Sequence, residues 1–206
     1  IDENGKLKGI QQKEFKQIYP KQGWVEHDPN EILSTQIQVF EELVSSISPE
    51  DIISIGITNQ RETTVIWDSE TGKPLYNAIV WQDKRTSNIC DQMKKDGLES
   101  YVKENTGLVI DSYFSATKIK WIIDNVEGVK SKIKENKVLF GTIDSWLIYN
   151  MTSFNNHVTD YTNASRTMIY NIKNLEWDNE ILNYLGVPKS ILPRVINSSS
   201  EFGHFT

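Results

Sequence analysis

The chain has 206 residues, with 22 Lys and Arg against 28 Asp and Glu and a net charge of −6. That length buries a substantial core as one large domain or two small ones. The acidic balance, without a basic patch of interleaved aromatics, excludes nucleic acid as a partner.

No apolar run approaches the roughly 20 residues that cross a bilayer. The single cysteine, Cys90, has no internal partner for a disulfide, so the expectation is a cytoplasmic protein without a membrane span. Near the start, Asn4-Gly5 suits a tight hairpin turn, whose two central positions take positive φ. Too few residues precede it for a first strand, so the sequence reads as opening partway through a structural unit. Asp28, Pro29 and Glu31 then mark a helix start as N-cap, first position and capping-box partner. Behind them Ile32, Ile37, Phe40, Leu43, Val44 and Ile47 recur at helical spacing and predict a buried stripe.

The run DIISIGI (51–57) is apolar enough to predict a central strand. TTVIWD (63–68) predicts a second strand, SETGKP (69–74) a turn and LYNAIVWQ (75–82) a third strand. From Thr86 the pattern turns mainly helical, with Gly97 and Gly107 as stops and an amphipathic helix KIKWIIDNVEG ending near Gly128. VLFGTI (138–143) predicts a buried strand running into a helix that Asp144 would cap. TMIYNI (167–172) reads as a short strand, and DNEILNYLGVP (178–188) as a helix stopped by Gly186 and Pro188. This order predicts an α/β domain with a mixed sheet.

The chemistry concentrates in TNQRE (58–62) between two predicted strands. In a continuing strand Arg61 and Glu62 would point to opposite faces, so both serve one ligand only if the strand ends by Gln60. A guanidinium fork and an acceptor-only carboxylate together can fix a diol from two sides. The alternative is an exposed salt bridge of little energetic value. Trp81 lies at another strand end and Tyr113 just ahead of a helix. Their faces suit the C–H edges of a polyol, and plain core packing is the alternative. TGKP lacks the earlier glycine of a phosphate loop, since Trp67 stands there. His27, His157 and His204 have no metal-ligand spacing. HVTDYTNASRT reads equally as a hydrogen-bonded turn or a ligand contact.

Five collinear stretches carry more than these spacings do. GITNQRETTVIWD, NAIVWQDKRT, YFSATKIKWIID, LFGTIDSWLIYNMT and HVTDYTNASRTM resemble, in order, the FGGY carbohydrate kinase family and its glycerol-phosphorylating members in particular. The resemblance runs from about GWVEHDP to LPRV. It implies an actin-like, ribonuclease-H-like α/β fold with a mixed sheet and flanking helices. Residues 1–206 would be most of the N-terminal kinase domain, incomplete at both ends. It implies ATP-dependent phosphorylation of glycerol to glycerol 3-phosphate, with Mg2+, in a full-length homo-oligomer. Arg61, Glu62, Trp81 and Tyr113 match the family's glycerol contacts.

The departures set further expectations. The family's Asp-X-Gly-Thr phosphate loop would precede Ile1, and its general-base Asp would lie beyond Thr206, as would the second domain. The 206 residues alone are therefore expected to bind glycerol without catalysing transfer, since phosphoryl transfer needs phosphate charge neutralised. Ser112 stands where the family usually has Pro, and QDKRT also differs from the commoner wording. A non-catalytic binding or folding module, or a kinase for a related polyol or ketose, are the other readings.

Overall fold

The computed structural model describes residues 1–45 and 47–205, in which short strands alternate with helices. The first part holds β1 (Glu26–His27), α1 (Pro29–Val44), β2 (Val65–Asp68) and β3 (Ala78–Ile79). Four helices follow, α2 (Ser87–Lys95), α3 (Glu99–Thr106), α4 (Ser115–Asn125) and α5 (Val129–Lys134). Then come β4 (Val138–Gly141), α6 (Ile143–Met151), β5 (Val158–Asp160) and the one-turn α7 (Tyr161–Ala164). The last stretch holds β6 (Tyr170–Asn171), β7 (Glu176–Trp177), α8 (Asn179–Leu185) and β8 (Arg194–Ile196).

Among the described residues the strands form pairs: β1–β3, β2–β4 and β6–β7 antiparallel, β5–β8 parallel. A bridge between Thr64 and Ile79 joins the first two pairs. The strand directions are therefore mixed, as the element order predicts.

β2 shows why an unbroken apolar run belongs inside. Successive strand residues face opposite ways, and here both faces are covered. Ile66 packs with Ile79, Phe140, Ile119 and Ile122 on the side of α4 and α8. Val65 and Trp67 pack with Ala78, Trp146 and Ile32 on the side of α1 and α6. Each such side chain contributes roughly 1.5–3 kcal/mol by leaving water. Gly141 is needed opposite β2, because a Cβ there would lie 2.9 Å from the Trp67 ring and 2.5 Å from the Ser145 Cβ.

Several local expectations need correction. Only Gly5 has positive φ in the first turn, since Asp2 Oδ1 accepts from the amides of Asn4 and Lys6 and centres the turn one residue earlier. Asp28 caps α1 through the Asn30 amide, but Glu31 completes no capping box, because its carboxylate accepts from the Lys16 amide. The helix buries Ile32, leaves Leu43 exposed and ends at Val44, so the exposed Ile47 lies beyond it. The predicted strand 51–57 does not form. Residues 53–63 make no backbone-to-backbone hydrogen bond among the described residues, and a strand without a ladder partner has nothing to hold it extended. The third predicted strand contracts to Ala78–Ile79.

The cap of α6 is Thr142, not Asp144, whose carboxylate instead accepts from the Thr142 and Thr159 hydroxyls. α4 ends at Asn125, and left-handed Gly128 (φ 81°) opens α5 rather than closing α4. Asp178 caps α8 through the Ile181 amide, and left-handed Gly186 ends it as the sequence predicts. No helix among the described residues is long and apolar enough to cross a membrane.

Candidate functional site

Three loop segments build the site, one before β2, one after β3 and one before α4. The first is tethered by Asn59, whose carboxamide donates to Thr142 Oγ1 (3.0 Å) and accepts from the Asp144 amide (3.1 Å). That bond pair pins the start of the polar run to the junction of β4 and α6. Asp144 is buried, which raises its carboxyl above the usual range, and it also accepts from the Asn163 side chain (3.1 Å).

Past Asn59, Arg61 and Glu62 part company. Arg61 is exposed and makes no ion pair or hydrogen bond among the described residues. Glu62 is buried and has φ of 64°, a left-handed conformation that costs an ordinary residue about 1–3 kcal/mol and persists only where surroundings enforce it. The surroundings do so here. The Ser115 hydroxyl donates to the Glu62 carbonyl (3.1 Å), and Arg166 Nε donates to Glu62 Oε1 (2.7 Å).

Arg166 is thus the guanidinium that meets Glu62. It comes from HVTDYTNASRT, whose abundant hydroxyls and amides divert attention from its one basic residue. The signal was present as a cation in an otherwise neutral and acidic run. Its pairing across 104 positions has no local signature.

The second segment carries Trp81. The chain turns there, with the Asp83 amide donating to the Val80 carbonyl (3.0 Å). The turn is fastened from below by Arg85, whose guanidinium is fully buried. Its Nη2 donates to Glu26 (2.7 Å) and to Asp83 (2.8 Å), its Nε to Asp83 (2.9 Å), and its Nη1 to Tyr76 (3.2 Å). The plane stacks 3.7 Å from the centre of the Trp24 ring and 4.7 Å from that of Trp121. A buried charge this well matched by partners holds geometry, because breaking it strands unpaired charge.

The third segment carries Tyr113. Its amide donates to Asp111 Oδ1 (2.8 Å), an Asx turn that spans Ser112. The Tyr113 ring lies 5.3 Å from Trp81 and 5.2 Å from Phe114, and the Phe114 ring lies 5.2 Å from the Arg166 guanidinium. Trp81, Tyr113, Phe114, Arg166 and Glu62 therefore form one continuous wall. Of the four residues singled out in the sequence, Trp81 and Tyr113 touch and Glu62 joins them through Arg166 and Phe114. Arg61 stands apart from these contacts.

The other sequence candidates have structural uses. The SETGKP turn, which contains TGKP, spends amides on Asp68, whose Oδ1 accepts from Glu70 (3.0 Å) and Thr71 (2.9 Å). No phosphate cradle is left there. His157 bonds the Phe140 carbonyl and is pushed down to about 4 by burial. Among the described residues no group of three or more His, Cys, Asp or Glu is placed to hold a metal ion.

An α/β domain with mixed strand directions and flanking helices has the fold of the actin-like, ribonuclease-H-like kinases. Within that class, the chain belongs to the FGGY family of carbohydrate kinases: the family's N-terminal domain matches residues 1–206. It is 60% identical over 206 residues to the glycerol kinase of Alkaliphilus metalliredigens, covering 99% of this chain and 41% of that protein. The chain thus spans about two fifths of the length of the curated relatives it matches. Its structure superimposes on Plasmodium falciparum glycerol kinase with ADP at a TM-score of 0.88, with 39% identity over 93% of this chain and 39% of that one. Gluconate kinase from Lactobacillus acidophilus also gives a TM-score of 0.88, at 25% identity over 99% of this chain and 40% of that one.

Proposed function

We propose that this chain is most of the N-terminal domain of an ATP-dependent glycerol kinase and supplies the wall that holds glycerol. The observation that carries the reading is the buried, left-handed Glu62, clamped by Arg166 and continuous with the Trp81–Tyr113 ring pair. A carboxylate accepts from hydroxyls, and ring faces cover carbon edges, which together match a small polyol. Arg61, exposed and without a partner among the described residues, is available to donate to the same ligand. Equal superposition on glycerol and gluconate kinases leaves the substrate to sequence, and identity favours glycerol.

The wall's part in the reaction is orientation. Fixing the acceptor hydroxyl relative to the transferring phosphoryl group removes entropy from the barrier, an effect that reaches several kcal/mol. The nucleotide and Mg2+ need donors of another kind. Binding of both by other parts of the full-length protein belongs to the same proposal. Cytoplasmic location and a homo-oligomeric full-length form are part of the same reading.

A substrate panel on the full-length protein tests it. Glycerol, xylulose and gluconate are offered with ATP, and ADP release is followed. Glycerol is expected to give the highest kcat/KM, because a site built to bond particular hydroxyls rejects ligands that leave its buried groups unpaired. Preference for a ketose or an acid sugar would overturn the reading.

A further inference from the structure

Lys118 lies in the first turn of α4 with 0% of its surface exposed, among Ala116, Ile119 and Thr117. Helical side chains lean toward the N-terminus, so its four-carbon stem reaches back over that turn. Its Nζ donates to the Tyr113 carbonyl (2.5 Å) and to the Phe114 carbonyl (3.2 Å). Neither acceptor is a carboxylate. Burying an ammonium without a contacting counter-charge is costly, and an apolar side chain would fill the same space more favourably. What an apolar side chain cannot do is bond two consecutive carbonyls.

Those carbonyls belong to the two residues on which the wall turns. Tyr113 presents its ring to Trp81, and Phe114 presents its ring to Arg166, which holds Glu62. We propose that Lys118 is a positioning residue for polyol recognition: by bonding the Tyr113 and Phe114 carbonyls, its ammonium sets the aromatic half and the Arg166–Glu62 half of the wall together. This rests on the reading of that wall as the glycerol site.

The charged and titratable groups facing Lys118 are Asp83 from the turn after β3, Glu62 from the segment before β2, Asp111 from the segment before α4, and Cys90 from α2. Burial pushes the Lys118 ammonium down to about 7 from an ordinary value of 10.5, against the opposing pull of Asp83 and Glu62. Above that pH the group becomes a neutral amine, whose bonds to carbonyls are weaker than those of the ion. The wall should therefore loosen as pH rises through about 7.

The test compares the wild-type full-length kinase with Lys118→Met and Glu62→Gln, measuring KM for glycerol and for ATP across the neutral to mildly alkaline range. Lys118→Met is expected to raise the glycerol KM about tenfold, a misplacement effect, and to leave the ATP KM within about twofold. The wild-type glycerol KM is expected to climb through about pH 7 while that of Lys118→Met stays flat. An unchanged glycerol KM in Lys118→Met, or equal rises in both KM values, overturns the proposal. If Lys118→Met does not fold, the wild-type profile decides: a glycerol KM indifferent to pH, or one that moves in step with the ATP KM, overturns it. Glu62→Gln separates the two readings. If it raises the glycerol KM and Lys118→Met does not, the positioning role fails alone. If neither variant changes it, the assignment of the wall fails as well.

Discussion

VLFGTI and DIISIGI look alike as apolar runs, yet the structure treats them oppositely. Phe140, in the first, is 1% exposed within a strand paired residue by residue with β2. Ile53, in the second, is 94% exposed, and from residue 53 to 63 the backbone makes no backbone-to-backbone bond among the described residues. Apolar character specifies a tendency to leave water. It does not specify which backbone will complete the ladder. α1 repeats the lesson within one helix, burying Ile32 at its start and exposing Leu43 near its end.

The comparison can be broken at its strongest point first. Phe140→Ala is expected to cost about 3–5 kcal/mol, the range for emptying an aromatic site in a packed core. Urea denaturation followed by circular dichroism would read it, and a loss below about 1 kcal/mol would mean that the β2–β4 core is looser than described. Arg85→Met comes next at about 3 kcal/mol, because it leaves Glu26 and Asp83 buried without their cation. A neutral outcome in the same denaturation series would show that this network does not fasten the Trp81 turn.

A pH-dependent effect follows. Lys132 beside Asp68 holds that carboxyl down to about 2, helped by the amides and hydroxyl of the TGKP turn. A depressed carboxyl contributes stability above its unfolded value, 3.8, and loses it as pH falls through about 2. Lys132→Met is therefore expected to be less stable than wild type at neutral pH, to unfold at higher pH in an acid titration, and to lose that deficit as pH falls through about 2. An identical acid midpoint would contradict the pairing. The smallest effect belongs to the other region: Ile53→Ala should change stability by less than about 0.5 kcal/mol, as for an exposed position without partners. A larger loss would show that residues 53–57 are packed after all.

Local signals in the sequence carried well. Asp28-Pro29 starts α1, TTVIWD contains β2, and Gly107 and Gly186 end α3 and α8 in left-handed conformation, because caps and glycine stops act over a turn or two. Partner choice carried poorly. Glu62 and Arg61 are adjacent in sequence, and nothing local indicates that the carboxylate turns inward through a positive φ to Arg166. Lys118 was equally hidden, since a lysine in KIKWIID reads as the solvated face of a helix until the fold shows it buried. The collinear resemblance placed Trp81 and Tyr113 together as candidates, and the structure brings their rings into contact without deciding what they bind.

The central claim is that the Glu62 wall holds the polyol and not the nucleotide. Glu62→Gln in the full-length kinase, assayed by steady-state ADP release with each substrate varied, tests it most directly. The account predicts a loss of about a hundredfold in kcat/KM for glycerol, a buried charged pair having lost its carboxylate, with the ATP KM within about threefold of wild type. An unchanged kcat/KM for glycerol, or a matching rise in the ATP KM, would contradict it.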